Sequence, residues 1–230
     1  KLVLNYFNTS KVRKLIKEVS LIIPSQNAET KVHALLRSIQ NWEIIPDEII
    51  VVDSSKNMLS NPKDIEAFTK KLNIKLLIIH EKNLYPGHAR NIGIKNSSNT
   101  LLAFLDTSTQ PSNKWLSSGL DLISAQNTKG VWGSTHYQAN SFTSKIFRAC
   151  TFGAKPIKTI PGTILNKSIF NICGLFIETT RAGEDGDWMS RAELQRIEMS
   201  SPEEILEYDQ LNFMNISKLI KKWFSNYKHT

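Results

Sequence analysis

No stretch of the 230 residues approaches the ~18 consecutive apolar residues of a membrane-spanning helix, and no charged-then-apolar leader opens the chain. The expectation is a soluble domain. Because the chain starts at Lys1 and not at a methionine, it reads as a trimmed or processed piece of something longer. Only two cysteines are present, Cys150 and Cys173, too few for a disulfide framework and at no metal-binding spacing. Both read as packing residues, in a reducing compartment. Acids are missing from one long stretch: between Leu122 and Ile177 there is no Asp or Glu, whereas Lys129, Lys145, Arg148, Lys155, Lys158 and Lys167 all lie within it. The formal net charge of +8 is therefore unevenly spread, and the stretch reads as either a solvated basic face or an anion site. Nucleic acid is not the expected partner, since RNA-binding aromatic-basic interleaving, zinc spacing and a helix-turn-helix pattern are all absent.

What is present is an alternating pattern. With 40% hydrophobic and 22% charged residues, the chain can bury one sizeable core. The runs EVSLIIP (18–24), DEIIVVD (47–53), IKLLIIH (74–80) and TLLAFLD (100–106) are rich in Ile, Leu and Val, as strands covered on both faces require. Helical periodicity fills the gaps, with Val32, Leu35, Leu36 and Ile39 on one stripe and Pro62 opening a second helix over 62–72. Strand-helix alternation predicts an α/β fold with a mostly parallel sheet and right-handed crossovers. Further on, 111–127 and 186–198 read as helices, 129–138 as a strand with Gly133 at a bulge or close approach, and 212–227 as a helical tail. The segment 154–176 mixes apolar pieces with Pro and Gly and gives no clear element.

Ligands of such sheets bind outside the carboxyl ends of the strands, where Pro24, Asp53 and Asp106 fall. One aspartate there reads as a turn residue; two ending separate strands point to a site. PGHARNIG (86–93) opens a helix with Pro86 and Gly87, and a helix amino terminus beside Arg90 suits phosphate. GEDGD (183–187) reads as an acidic helix start, which serves equally as a cap or a source of a general base.

Taken together and in this order, VSLIIPSQNAETKVHALLRSIQNW, DEIIVVDSSKN, NLYPGHARNIGIKNSSNTLLAFLDTST and FNICGLFIETTRAGEDGDWMSR resemble the family 2 glycosyltransferases over about residues 18–195. The resemblance implies a GT-A fold, with a nucleotide-sugar donor half (18–110), an acceptor half (111–200) and a C-terminal helical tail (201–230). It implies transfer of a sugar, with inversion, from a nucleotide-diphosphate donor such as a UDP-sugar to an acceptor hydroxyl, in cell-envelope polysaccharide assembly. A silent nucleotide-sugar-binding or scaffold protein of the same fold is the alternative.

Residue by residue, the resemblance places Pro24 and Asn27 at the donor loop, Asp53 on the base, and Arg90 with His88 near the diphosphate. Asp185 falls on the catalytic base with Glu184 beside it and Asp187 as a neighbouring alternative. Asp106 fills the first position of the family's DxD motif, which implies Mn2+ or Mg2+, but Ser108 stands at the second position. A neutral hydroxyl is a weaker ligand for a hard cation than a carboxylate. Either the metal is held through Asp106 and the diphosphate, or Arg90, His88 and lysines take its place. The acid-free stretch leads to an anionic carbohydrate or lipid-linked acceptor, with Lys155 and Lys158 on it. The apolar stripe, tryptophan and cations of ISKLIKKWFSNYKH (216–229) allow peripheral contact at the inner, cytoplasmic face of a membrane.

Overall fold

The computed structural model describes residues 15–208 and Ser217. Its first half is the expected alternation: β1 (Leu15–Ser25), α1 (Glu29–Ile39), β2 (Ile44–Asp53), α2 (Lys63–Lys71), β3 (Lys75–His80), α3 (Pro86–Asn96) and β4 (Leu101–Phe104). The second half runs β5 (Thr109–Gln110), α4 (Trp115–Gln126), β6 (Gly130–Tyr137), α5 (Phe142–Thr151), β7 (Ile157–Asn166), α6 (Ile169–Cys173), α7 (Glu184–Leu194), β8 (Met199–Ser200) and β9 (Leu206–Tyr208). One mixed sheet results, ordered β3-β2-β1-β4-β7-β6-β9-β5, with β8 paired to β6. β1 to β4 are mutually parallel, and β7 joins antiparallel to β4. The predicted α/β class and parallel half are thus present. The helix read over 212–227 lies outside the described residues.

The apolar runs form central strands because both of their faces are covered. On one face Leu21, Ile23, Ile49 and Val51 pack against the predicted α1 stripe of Val32, Leu35, Leu36 and Ile39. On the other, Ile22, Leu102 and Phe104 meet Phe170, Phe176 and Trp188 from the second half of the chain. Each such side chain, fully buried, contributes about 1.5–3 kcal/mol. Cys173 is buried in this second cluster, as a packing residue should be.

Boundaries shift where local chemistry wins. α2 starts at Lys63, with Pro62 extended at its N-cap (ψ 142°). α4 starts at Trp115 because the backbone before it is used elsewhere, the Asn113 carbonyl accepting the Glu43 N–H at 2.8 Å. α7 starts at Glu184, two residues earlier than the periodicity indicated. The ambiguous segment contains β7, a ten-residue strand running through Pro161. Its pairing with β6 breaks register between Val131 and Gly133, so Pro161 falls where the ladder asks no N–H of it. Gly133 is the close approach expected, since an added Cβ would lie 2.1 Å from the Pro161 carbonyl oxygen.

A buried carboxylate ties the parallel strands at the end opposite the site. Glu48, 2% exposed, accepts from Lys75 Nζ (2.6 Å), the Ser98 N–H (2.8 Å), Ser98 Oγ (2.7 Å) and Ser20 Oγ. Burial would raise this carboxyl, but the hydrogen bonds from Lys75, Ser20 and Ser98 hold it down at about 2. A depressed carboxyl stabilises the fold above its ordinary range and loses that contribution as pH falls toward 2. Glu48→Gln is expected to lower unfolding free energy at pH 7 by about 1–3 kcal/mol in urea denaturation, with the difference shrinking at pH 3.

Candidate active site

β1 lies between β2 and β4, so connections diverge on either side of it and leave a crevice at the carboxyl ends of the strands. A cavity of about 320 Å³ occupies this crevice. Pro24 and Ser25 line it from the end of β1, Ser54 from the turn after β2, Asp106, Thr107 and Ser108 from the turn after β4, and Leu84 to Pro86, Ala89 and Arg90 from the start of α3. Glu184 and Asp185 enter from α7, and Tyr208 from β9.

Arg90 is the centre of the site. Its guanidinium, 3% exposed, contacts Asp185 Oδ1 at 2.7 Å, Glu184 Oε1 at 3.0 Å and Asp106 Oδ1 at 3.1 Å. Its carbon also stands 5.7 Å from the centre of the Phe176 ring. Burial alone would weaken its positive charge, but the three carboxylates raise its pKa and keep it charged. Close packing of α3 makes this possible. An added Cβ at Gly87 would lie 2.2 Å from the Ile177 carbonyl oxygen, so only glycine lets the helix approach this segment. Next to Arg90, buried Asn91 donates to the Phe176 carbonyl (2.8 Å) and Glu178 (2.9 Å) and accepts the Phe176 N–H (3.0 Å).

Glu184 and Asp185 occupy the first turn of α7, where the helix dipole favours their charge; Glu184 is buried, while the Asp185 side chain keeps 29% of its surface open. Burial, reinforced by Glu184 and Asp106, pushes the Asp185 carboxyl up to about 7 against the pull of Arg90. Asp187 is turned to Arg191 (2.7 Å) and is not part of the cavity wall.

Several of the expected residues lie outside the cavity wall. Asp53 is fully buried behind the wall, accepting from the Leu59 N–H (3.0 Å), the Ser55 N–H (3.3 Å) and Ser55 Oγ, with His80 Nδ1 at 3.3 Å. It shapes the turn after β2, and reaching a base would cost it one of these contacts. Asn27 is exposed outside the cavity with φ 51°, its N–H donating to Ser55 Oγ at 2.7 Å. His88 is 3.7 Å from Glu178 and likewise outside the lining. In the acid-free stretch, Lys158 is bonded to Glu193 and Lys167 to the Ser97 carbonyl (2.8 Å), whereas Lys155 is exposed.

Of the remaining wall groups, Ser25 and Tyr208 had no signal in the sequence. Ser25 Oγ and Arg90 Nε are buried with no hydrogen-bond partner among the described residues. Tyr208 arrives on a three-residue strand, and its phenol is pushed up by burial and by Asp106. Ser108 Oγ accepts a 2.9 Å hydrogen bond from Lys31 Nζ of α1. Asp106 Oδ1 is on Arg90 and Ser108 Oγ is on an ammonium, so a divalent cation here would have Asp106 Oδ2 as its one carboxylate ligand from the turn after β4.

With this geometry in place, relatives can be compared. The model of Glycosyl transferase family 2 matches residues 20–181. The chain belongs to that family. It is 26% identical over 186 residues to Glycosyltransferase AglE of Haloferax volcanii, an alignment covering 76% of this chain and 60% of the relative. Its fold is similar to that of S. aureus TarS 1–349 in complex with UDP-GlcNAc (TM-score 0.61, 17% identity, 87% of this chain and 62% of that one). It is also similar to that of the mannosyltransferase PcManGT from Pyrobaculum calidifontis in complex with GDP-Man and Mn2+ (TM-score 0.53, 12% identity, 83% and 56% covered). The chain therefore spans less than two thirds of the length of each, and the architecture is the GT-A fold.

Removing the guanidinium would leave three carboxylates facing one another. Arg90→Met is expected to destabilise the protein by about 3 kcal/mol or more at pH 8 in denaturant titrations. The loss should be smaller at pH 5, where protonation of Asp185, whose carboxyl is already raised, relieves the repulsion.

Proposed function

We propose that this chain transfers a sugar from a nucleotide-diphosphate donor, a UDP-sugar, to an acceptor hydroxyl, with inversion and with Asp185 as the general base. The observation that carries this reading is the convergence on one cavity of the groups expected for donor and acceptor. Asp106 and Arg90 stand on the β4 and α3 side, and Asp185 on the α7 side, all joined through the same guanidinium. The unpartnered Ser25 Oγ and Arg90 Nε support a polar ligand, because buried polar groups are otherwise satisfied.

The chemistry follows from the geometry. The donor lies at the ends of β1 and β4, its diphosphate toward Ser25 and the turn after β4. An acceptor hydroxyl next to Asp185 gives up its proton as its oxygen attacks the anomeric carbon, and the diphosphate departs from the opposite face. A carboxyl raised to about 7 is a stronger base than an ordinary aspartate and still ionises near neutrality. Arg90 keeps Asp185 oriented and offsets the charge of Glu184 and Asp106 around it.

For the acceptor we propose a carbohydrate, lipid-linked at a membrane surface on the cytoplasmic side. α5 supports this, presenting Phe142 and Ile146 one turn apart, 79% and 50% exposed, with exposed Lys145 between them and no acid in the helix. No described helix is long and apolar enough to cross a membrane.

With a UDP-sugar and its acceptor, Asp185→Asn is expected to reduce turnover by about 10²–10⁴-fold while leaving donor affinity within a few-fold. Since the base must be deprotonated, kcat/KM should climb with pH and level off above about 7. A profile that is flat from pH 5 to 8, or full transfer by Asp185→Asn, would remove Asp185 from this role.

A further inference from the structure

Of the described residues in the second half of the chain, Tyr208 alone brings an aromatic ring to the cavity wall. No step of the proposed transfer uses it. Its backbone is fixed from two sides, for Tyr208 pairs antiparallel with Thr109 of β5 and parallel with Tyr137 of β6, and its carbonyl accepts the Gln138 N–H at 3.0 Å. The ring lies against Tyr137 with centres 4.8 Å apart, and Tyr137 in turn stacks on Phe152 at 3.8 Å. A strand of three residues thus holds its last side chain in one place.

Two features point to a ligand in front of this side chain. The Tyr208 hydroxyl makes no hydrogen bond among the described residues, although burial and the charges of Asp106 and Asp185 push the phenol up and keep it protonated. A proton donor that lines a cavity and is bonded to neither carboxylate is available to a ligand. The second feature is its anchor on the donor side. Thr109, its partner across the ladder, gives its own N–H to the Asp106 carbonyl at 3.0 Å, so the ring and the turn after β4 keep a set spacing. In the proposed transfer the sugar of the donor lies between the diphosphate at that turn and the base on α7, and Tyr208 shares the cavity wall with both Asp106 and Asp185. A pyranose offers apolar C–H faces and hydroxyls together, and a tyrosine meets both with one side chain.

We infer that Tyr208 binds the sugar of the donor, its ring against a C–H face and its hydroxyl on a sugar oxygen, and thereby selects which sugar the site accepts. The inference rests on the nucleotide-sugar reading of the site and adds to it the residue that reads the sugar. Tyr208 neither takes nor gives the transferred proton. It fixes where the anomeric carbon stands relative to Asp185.

The test is a calorimetric titration of UDP, GDP and a panel of their sugar conjugates, among them UDP-GlcNAc, UDP-glucose and GDP-mannose, into the intact chain with Mn2+ present. Wild type, Tyr208→Phe, Tyr208→Leu and the α2 surface control Lys70→Gln are compared after their melting curves; should Tyr208→Leu melt early, Tyr208→Phe decides. The wild type is expected to prefer one conjugate over the others. Tyr208→Phe, which keeps the ring, should weaken that conjugate by about 3–10-fold and Tyr208→Leu by about tenfold or more, with the bare nucleotide held within about twofold. The preference among sugars should shrink in the same order. Equal loss of conjugate and bare nucleotide would overturn the inference, as would unchanged affinity for the preferred conjugate or a wild type that binds all conjugates alike. Binding of a bare nucleotide with no conjugate bound would overturn the inference alone. If neither UDP nor GDP binds the wild type, the nucleotide-donor reading itself fails and takes the inference with it.

Discussion

The organisation of the site depends on one buried charge, the guanidinium of Arg90. A desolvated cation is costly, and it persists here because Asp106, Glu184 and Asp185 surround it within 3.1 Å. The reverse also holds, since three carboxylates could not share this crevice without it. The three come from the turn after β4 and the start of α7, so the ion cluster joins the parallel half of the sheet to the second half of the chain. Gly87 and Asn91, on either side of Arg90, bring α3 close enough to the segment before α7 for the cluster to form.

This arrangement couples binding to chemistry. A ligand that takes hydrogen bonds from Arg90 competes with the carboxylates that hold it, and the one it displaces is left more basic. Asp185 is poised for such a change because burial and its acidic neighbours already raise its carboxyl, and its side chain is still partly open. At the other end of the sheet, Glu48 joins Ser20, Lys75 and Ser98 through hydrogen bonds that draw three segments together. One end of the sheet is tied by fully used hydrogen bonds, while the other leaves Ser25 Oγ and Arg90 Nε unpartnered on the cavity wall.

Much of this was legible in the sequence, for physical reasons that can be named. Double-sided burial demands uninterrupted Ile, Leu and Val, so β1, β2 and β4 stand out, and the α1 stripe follows from helical periodicity. Strand ends mark the crevice, so Asp106 stands out after β4, while Arg90 is marked by the helix start at Pro86 and Gly87 and Asp185 by its ordered motif. β7 was obscure because Pro161 breaks the local pattern, and only pairing with β6 shows that the break coincides with a register shift. Asp53 ends an apolar strand just as Asp106 does, yet its carboxylate turns back to the Leu59 and Ser55 N–H groups. Strand position alone does not say which way a terminal side chain turns.

By itself, the sequence determined the alternation of strands and helices, the parallel half of the sheet, and which end of it carries the chemistry. These depend on local periodicity and on steric and solvation rules that act over a few residues. Tertiary structure alone decided who meets whom: Arg90 with three acids, Lys31 with Ser108 across 77 positions, and Tyr208 on the cavity wall. Such contacts depend on crossing strands and on the depth of packing at Gly87, quantities that no short stretch of residues contains.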